Sequence, residues 1–250
     1  MSRIAIMAAM PEELQALLDC MPDEHRVRHA GREFWLGHLV GQDVVVVLSR
    51  IGKVAAATTA ALLVERFAAR EIVFTGVAGG LAEGVAVGDV VVGRQFLQHD
   101  FDASPIFPRH EIPYYGRSTF DADDRVASRL ARAAHEVLQA AAEHLGAPAV
   151  QAYRLAGRRC HEGLIVSGDR FVSTTAESAA LRAELPQALA VEMEGAAVAQ
   201  VCHDLGVPFG VIRTISDRAD DAAHVDFPAF LRDVASRFSA AVVSRYLSAV

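Results

Sequence analysis

The chain has 250 residues, 52% of them hydrophobic, enough for a large buried core within one α/β domain. Its formal net charge of -7, with Lys53 as the only lysine and the arginines scattered, argues against a nucleic-acid binder, which needs a clustered basic surface, and favours a small neutral or cationic ligand. Cys20, Cys160 and Cys202 are far apart with no CxxC pair, no run is apolar enough to span a membrane, and the apolar start reaches Pro11-Glu12-Glu13 too soon for a signal peptide, so reduced thiols and a cytoplasmic location are expected.

Ile4 to Ala8 reads as a short buried strand, and Pro11-Glu12-Glu13 opens a helix, since proline suits the first turn and acidic side chains oppose the dipole there. Glu33 to Leu39 and Asp43 to Leu48 predict a hairpin around Gly41, and Val54 to Phe67 has helical periodicity. Glu71 to Thr75 is a buried strand ending in a glycine-rich turn, Gly76-Val77-Ala78-Gly79-Gly80, and Val87 to Val92 is strand-like. Asp100 to Arg117 carries three prolines among aromatic residues and cannot be a central strand; so long an irregular segment is expected to be functional or to cover an interface. Asp121 to Leu145 predicts one long alanine-rich helix. Gly163 to Ser167 is strand-like, and Thr174 with Glu177 has the spacing of a capping box opening a helix to about Leu185. Ala188 to Val191 is a short strand, Gly195 to Leu205 a helix stopped by Gly206, Phe209 to Ile215 a buried strand, and Phe227 to Leu247 the last helix. Strands and helices alternate without a repeat, which predicts an α/β fold with a mostly parallel or mixed sheet.

Several clusters can carry chemistry, each beside a plainer reading. Glu12 and Glu13 stand just past a strand end, a usual ligand position in α/β sheets, or they serve only the helix start. The glycine run can bring backbone N–H groups to a ligand oxygen or form a tight turn; it lacks the GK[ST] of a Walker loop and the Rossmann spacing. Glu192 and Glu194 share a strand face, and burying two like charges together is costly unless something binds them, as a pair of sugar hydroxyls would for one of them; the alternative is a solvated strand end. An apolar strand delivers Arg213, and Asp217 follows in the next loop, as catalytic groups or as an ion pair with each other. Phe171 lies beyond another strand end, where it can stack on a base or fill core. No metal site is expected, because Tyr114, Gln139 and Ile165 stand where HExxH needs its second histidine. A GxSxG serine nucleophile is missing too, since Ile165 and Asp169 flank Ser167.

Taken together, Met10-Pro11-Glu12-Glu13, Ser49 to Val54, Thr75 to Leu81, Val87 to Val91, Ile165 to Phe171, Val191 to Glu194 and Arg213 to Asp220, in that order across nearly the whole chain, closely resemble the 5'-methylthioadenosine/S-adenosylhomocysteine nucleosidases. The resemblance implies a nucleoside-phosphorylase-like three-layer fold, with a central twisted mixed sheet flanked by helices. It also implies a homodimer in which Phe107 and Pro113 of one subunit reach the other's pocket, and no cofactor. By position in the motifs, Asp217 would protonate adenine at N7, Glu13 would activate water, Glu194 would bind the ribose hydroxyls, and Arg213 would help hold water and sugar. Phe171 would lie on adenine and the Val172 backbone on its Watson–Crick edge, with Met193 against the ribose and Ile51 and Phe227 around the 5'-substituent. Met10, Val77, Gly79 and Ser216 complete the expected pocket.

Two positions depart from the family pattern: Val77 stands where a serine is common, and Arg50 where Ser-Gly-Ile-Gly has its glycine. The first removes a hydroxyl near ribose or water, and Arg50 is expected either to point outward or to bind a charged 5'-group. Rival readings on this fold are a phosphorolytic purine nucleoside phosphorylase or a hydrolase of a related nucleoside such as a futalosine, and from another class a noncatalytic nucleoside-binding protein.

Overall fold

Both faces of the first strand are apolar, and both are covered. Ile4, Ile6 and Ala8 enter one core while Ala5 and Met7 enter another, and Val44 and Val46 part from Val45 and Val47 in the same way. Side chains alternate across a strand, so unbroken apolar runs of this kind belong to a sheet with helices on both faces.

The computed structural model describes residues 3–219 and 227–250; Asp220, the end of the last motif, lies outside them. In chain order the elements are β1 (Arg3–Ala8), α1 (Pro11–Leu18), β2 (His25–His29), β3 (Arg32–Leu39), β4 (Gln42–Leu48), α2 (Lys53–Phe67), β5 (Ala69–Gly80), β6 (Val90–Gln98), β7 (Thr119–Asp121) and α3 (Asp124–Gln139). There follow α4 (Ala141–Leu145), α5 (Ala147–Ala152), β8 (Cys160–Ser167), α6 (Thr175–Glu184), β9 (Ala188–Glu192), α7 (Gly195–Leu205), β10 (Phe209–Asp217), α8 (Phe227–Phe230) and α9 (Ser236–Leu247). Helices α1, α3 and α9 cover one face through Leu14, Leu17, Val126, Leu130, Phe238 and Val242, while α2 and α7 cover the other through Ala56, Ala60, Leu63, Ala196, Ala199 and Cys202. No helix among the described residues is long and apolar enough to cross a membrane.

The sheet is mixed and runs β2-β3-β4-β1-β5-β9-β8-β6-β10, with β7 beside β6. β10 also pairs with β5, so β5, β9, β8, β6 and β10 close into a ring. β5 lies parallel to β1 and β10, and its last residues cross β9 antiparallel, Gly79 opposite Val191 and Gly80 opposite Ala190. The C-terminal ends of β1, β5, β9 and β10 thereby meet at one place, and the functional groups collect there.

Several elements differ from the sequence expectation. The glycine run is not a turn but the end of β5, where a side chain would not fit: a Cβ on Gly76 would lie 2.7 Å from Arg213 Nη1, and one on Gly79 2.9 Å from Ala219 Cβ. β10 likewise continues through Asp217, which is a strand residue and not a loop residue. The long helix breaks at Ala140 (φ -103°, ψ 26°), separating α3 from α4. β6 extends to Gln98 past an irregularity between Gly93 and Gln95, and a π-helical turn at Leu231–Ala235 separates α8 from α9. Thr174 Oγ1 accepts the Glu177 N–H at 3.2 Å, as capping requires, while the Glu177 carboxylate accepts from Ser173 N–H at 3.3 Å.

Candidate active site

A cavity of about 450 Å³ opens where those strand ends meet. Met10, Ile51, Val77, Met193 and Phe227 give it apolar walls, Phe171 and Val172 close one side, and Gly79 and Ser216 form part of its floor. Glu194 and Asp217 both line it, as does Glu192. Ile51 and Phe171 are 61% and 46% exposed, so each presents a large apolar surface at the rim, in reach of a ligand. A second cavity of about 470 Å³ lies between Arg28, Arg32, Trp35 and Arg50, but its one carboxylate, Glu33, is already paired with Arg26 and Arg28. Only the first brings several buried carboxylates together.

Asp217 ends β10 with both oxygens held: Oδ2 accepts from Ser216 Oγ at 2.8 Å and Oδ1 from the Ala219 N–H at 2.7 Å. Glu194 immediately precedes α7 and accepts the Gly52 N–H at 3.0 Å, tying it to the Ser49–Gly52 loop. Burial holds its carboxyl above the ordinary carboxylate range, the neighbouring Glu192 charge adds to the rise, and Arg213 opposes it. Glu13, in the first turn of α1, does not line the cavity: it is fully buried behind Met10 and Ala9, which do, and accepts the Met10 N–H at 3.1 Å. Burial pushes its carboxyl up to about 7, against the pull of Arg213 and the backbone N–H groups of Met10 and Ala9.

Arg213 is placed differently from the expectation. It does not line the cavity, and its partner is Glu192, not Asp217: Nε and Nη2 donate to Glu192 Oε2 at 3.2 and 2.6 Å. Its guanidinium carbon lies 4.1 Å from the centroid of the Phe74 ring. Arg213 Nη1 and Glu13 Oε1 are both buried without a hydrogen-bond partner. Glu192 is therefore more than half of the carboxylate pair expected from the sequence. The sequence signal for its role is an arginine set among Val211, Ile212 and Ile215, which needs a buried counter-charge.

The sequence model of the phosphorylase superfamily matches residues 3–248. A 5'-methylthioadenosine/S-adenosylhomocysteine nucleosidase of Shewanella frigidimarina is 38% identical over 231 residues, 92% of this chain and 92% of that one. The chain belongs to the phosphorylase superfamily, among the methylthioadenosine/adenosylhomocysteine nucleosidases. The structure of the Neisseria meningitidis nucleosidase in complex with methylthio-immucillin-A superposes with a TM-score of 0.86 at 35% identity, covering 100% of both chains. A futalosine hydrolase of Helicobacter pylori superposes with a TM-score of 0.85 at 31% identity, covering 100% of this chain and 98% of that one.

Within that family the two departures separate. Val77 faces the cavity, so its apolar side chain is part of the pocket wall. Arg50 turns outward: it sits at φ +66° and donates to the Gly31 carbonyl beside the second cavity. Phe107 and Pro113 are half-buried and do not reach the cavity of their own chain; Phe107 packs edge-on against Tyr114 at 5.7 Å, and Tyr114 and Ile106 are 96% and 82% exposed.

Proposed function

We infer that the protein hydrolyses the N-glycosidic bond of 5'-methylthioadenosine and S-adenosylhomocysteine, releasing adenine and the 5-thio-substituted ribose. The observation that carries this reading is the pairing of Asp217 and Glu194 on one apolar-walled cavity with Glu13 buried directly behind its wall. Adenine leaves poorly as an anion, so a proton from Asp217 to N7 lowers the barrier, while carboxylates near the sugar stabilise the ribosyl cation that forms. Glu194 takes the ribose hydroxyls, Phe171 stacks on the purine and Val172 offers its backbone to the base edge. Ile51, Phe227 and Met193 surround the thioether and sugar. Glu13, kept close to neutral pH in its proton affinity by burial, removes the proton from the attacking water.

Water is favoured over phosphate because the nearby cations are engaged. Arg213 is bound to Glu192, Arg170 at the rim is bound to Glu177, and Lys53 is bound to Asp100 at 2.5 Å. The reading includes a homodimer in the cytoplasm, supported by the exposed apolar loop around Ile106, Phe107 and Tyr114 and by three free cysteines. Incubation with either nucleoside should release adenine at the same rate with and without phosphate. Phosphate-dependent formation of a sugar 1-phosphate would overturn the hydrolase reading, and preferential cleavage of futalosine in a panel of 5'-substituted nucleosides would move the substrate.

A further inference from the structure

We propose that Glu192 is a positioning residue that acts through Arg213, holding that guanidinium so that its Nη1 edge faces the Glu13 carboxylate, and that it does not bind the ribose. The proposal rests on the nucleosidase reading and adds to it a residue to which that reading gives no part in the chemistry. Glu192 lines the cavity and is 7% exposed, so a role as a second ligand of the sugar hydroxyls is the natural rival.

The hydrogen bonds decide against that rival. Oε2 takes Nε and Nη2 of Arg213 at 3.2 and 2.6 Å, and Oε1 takes the Ser167 hydroxyl. Both oxygens also face the first N–H groups of α7, those of Glu194 at 3.3 Å and of Gly195 at 3.0 and 2.9 Å. Ser167 Oγ is itself fixed, accepting the Ala196 N–H at 2.8 Å. A carboxylate offers about four lone-pair positions, and here protein donors exceed that number, so little acceptor capacity remains for a ligand. The carboxylate sits at the N-terminal end of α7, and its two-pronged contact fixes the plane of the guanidinium as well as its position.

The fixed plane has a direction. The edge of Arg213 that Glu192 leaves open is Nη1, packed beneath Gly76 at a spacing that would put an alanine Cβ 2.7 Å away, and Ala9 Cβ lies 3.3 Å from the same point. Glu13 feels the charge of Arg213 more strongly than that of any other side chain. Glu13 Oε1 and Arg213 Nη1, both fully buried and both without partners, thus belong to one neighbourhood behind the Ala9–Met10 wall. Glu192 also offsets the charge of Arg213. With the pair intact, Glu13 keeps enough proton affinity to act as a base near neutral pH. With Glu192 neutralised, the bare guanidinium would pull that affinity down and leave a weaker base.

The test is Glu192→Gln in the full-length protein, with steady-state adenine release from methylthioadenosine measured across pH. Acting through Arg213 and Glu13, the change should lower kcat by about 10- to 100-fold, the scale of a misplaced catalytic group, with KM within about threefold of wild type. The acid limb of kcat should move to lower pH. In an Arg213→Gln background, which also removes the buried cation that the single variant leaves unpaired, Glu192→Gln should cost less than about threefold more, because residues that act as a unit are not additive. A tenfold rise in KM at unchanged kcat would overturn the proposal in favour of ribose binding. Fully multiplicative losses in the double variant would overturn it as well. Wild-type protein that released no adenine would instead overturn the nucleosidase reading and this proposal with it.

Discussion

Glu13→Gln should make the protein inactive and more stable, with the gain appearing only above acid pH. A rise of the buried carboxyl from its ordinary 4.5 to about 7, at about 1.4 kcal/mol for each pH unit, corresponds to about 3 kcal/mol at most. The sign follows from proton binding. Below about 4.5 the carboxyl is protonated in folded and unfolded chains alike, so it contributes no difference. Between 4.5 and 7 the folded protein keeps a proton that the unfolded chain releases, and stability falls as pH rises. Above 7 the folded protein carries a buried charge and the full penalty is present. Glutamine keeps the acceptor for the Met10 N–H and never ionises, so the variant should gain less than about 1 kcal/mol at pH 5 and up to about 3 kcal/mol at pH 8. In a chain of this length about 1 kcal/mol moves the midpoint by about 2–4 °C, which makes the difference readable in thermal melts at the two pH values. Adenine release should fall by about 10²- to 10⁴-fold, the usual contribution of a general base. An equal Tm change at pH 5 and pH 8, or a loss at pH 8, would refute the account of Glu13 as a carboxylate raised by burial.

Three further outcomes follow from the same geometry. Asp217→Asn should keep the Ser216 and Ala219 contacts well enough to leave the fold intact, while base release falls by about 10²-fold or more; near-normal turnover would remove Asp217 from the mechanism. Gly76→Ala places a Cβ 2.7 Å from Arg213 Nη1, and because Glu192 tethers that arginine it cannot swing aside, so a stability loss of about 1–3 kcal/mol and a fall in kcat are expected. A variant with wild-type Tm and kcat would show that Arg213 is not fixed. Arg50→Gly relieves a left-handed backbone at φ +66° that costs an L side chain about 1 kcal/mol, so Tm should rise while KM for both nucleosides stays put. A tenfold rise in KM for adenosylhomocysteine alone would place the guanidinium on the 5'-tail after all.

Much of the frame was legible because its signals are local. Pro11 at the first turn of α1, the unbroken apolar run of β1 and the left-handed Gly206 at the end of α7 each act within a few residues of themselves. What the sequence hid depends on partners far along the chain. β2 is a polar edge strand, His-Arg-Val-Arg-His, with no apolar alternation to mark it, and only its pairing with β3 makes it a strand. Gly76 to Gly80 has the composition of a turn, yet β10 and β9 lie on both sides of it and hold it extended. The partner of Arg213 was hidden for the same reason: β9 and β10 are not neighbours in the sheet, and they meet across the end of β5.

That closure also explains how the site chooses between nucleophiles. Glu13, Glu192, Glu194 and Asp217 are buried with Arg213, the one buried arginine or lysine among the described residues, which Glu192 already neutralises. A phosphate anion entering such a site would meet carboxylates at close range, where a like charge about 4 Å away costs about 4 kcal/mol at the effective dielectric of a protein surface. Water carries no such penalty. The same negative charge becomes favourable once the sugar turns cationic. An arrangement that repels the phosphorolytic nucleophile and attracts the ribosyl cation is one electrostatic design, and adding a basic residue to the cavity wall would weaken both effects together.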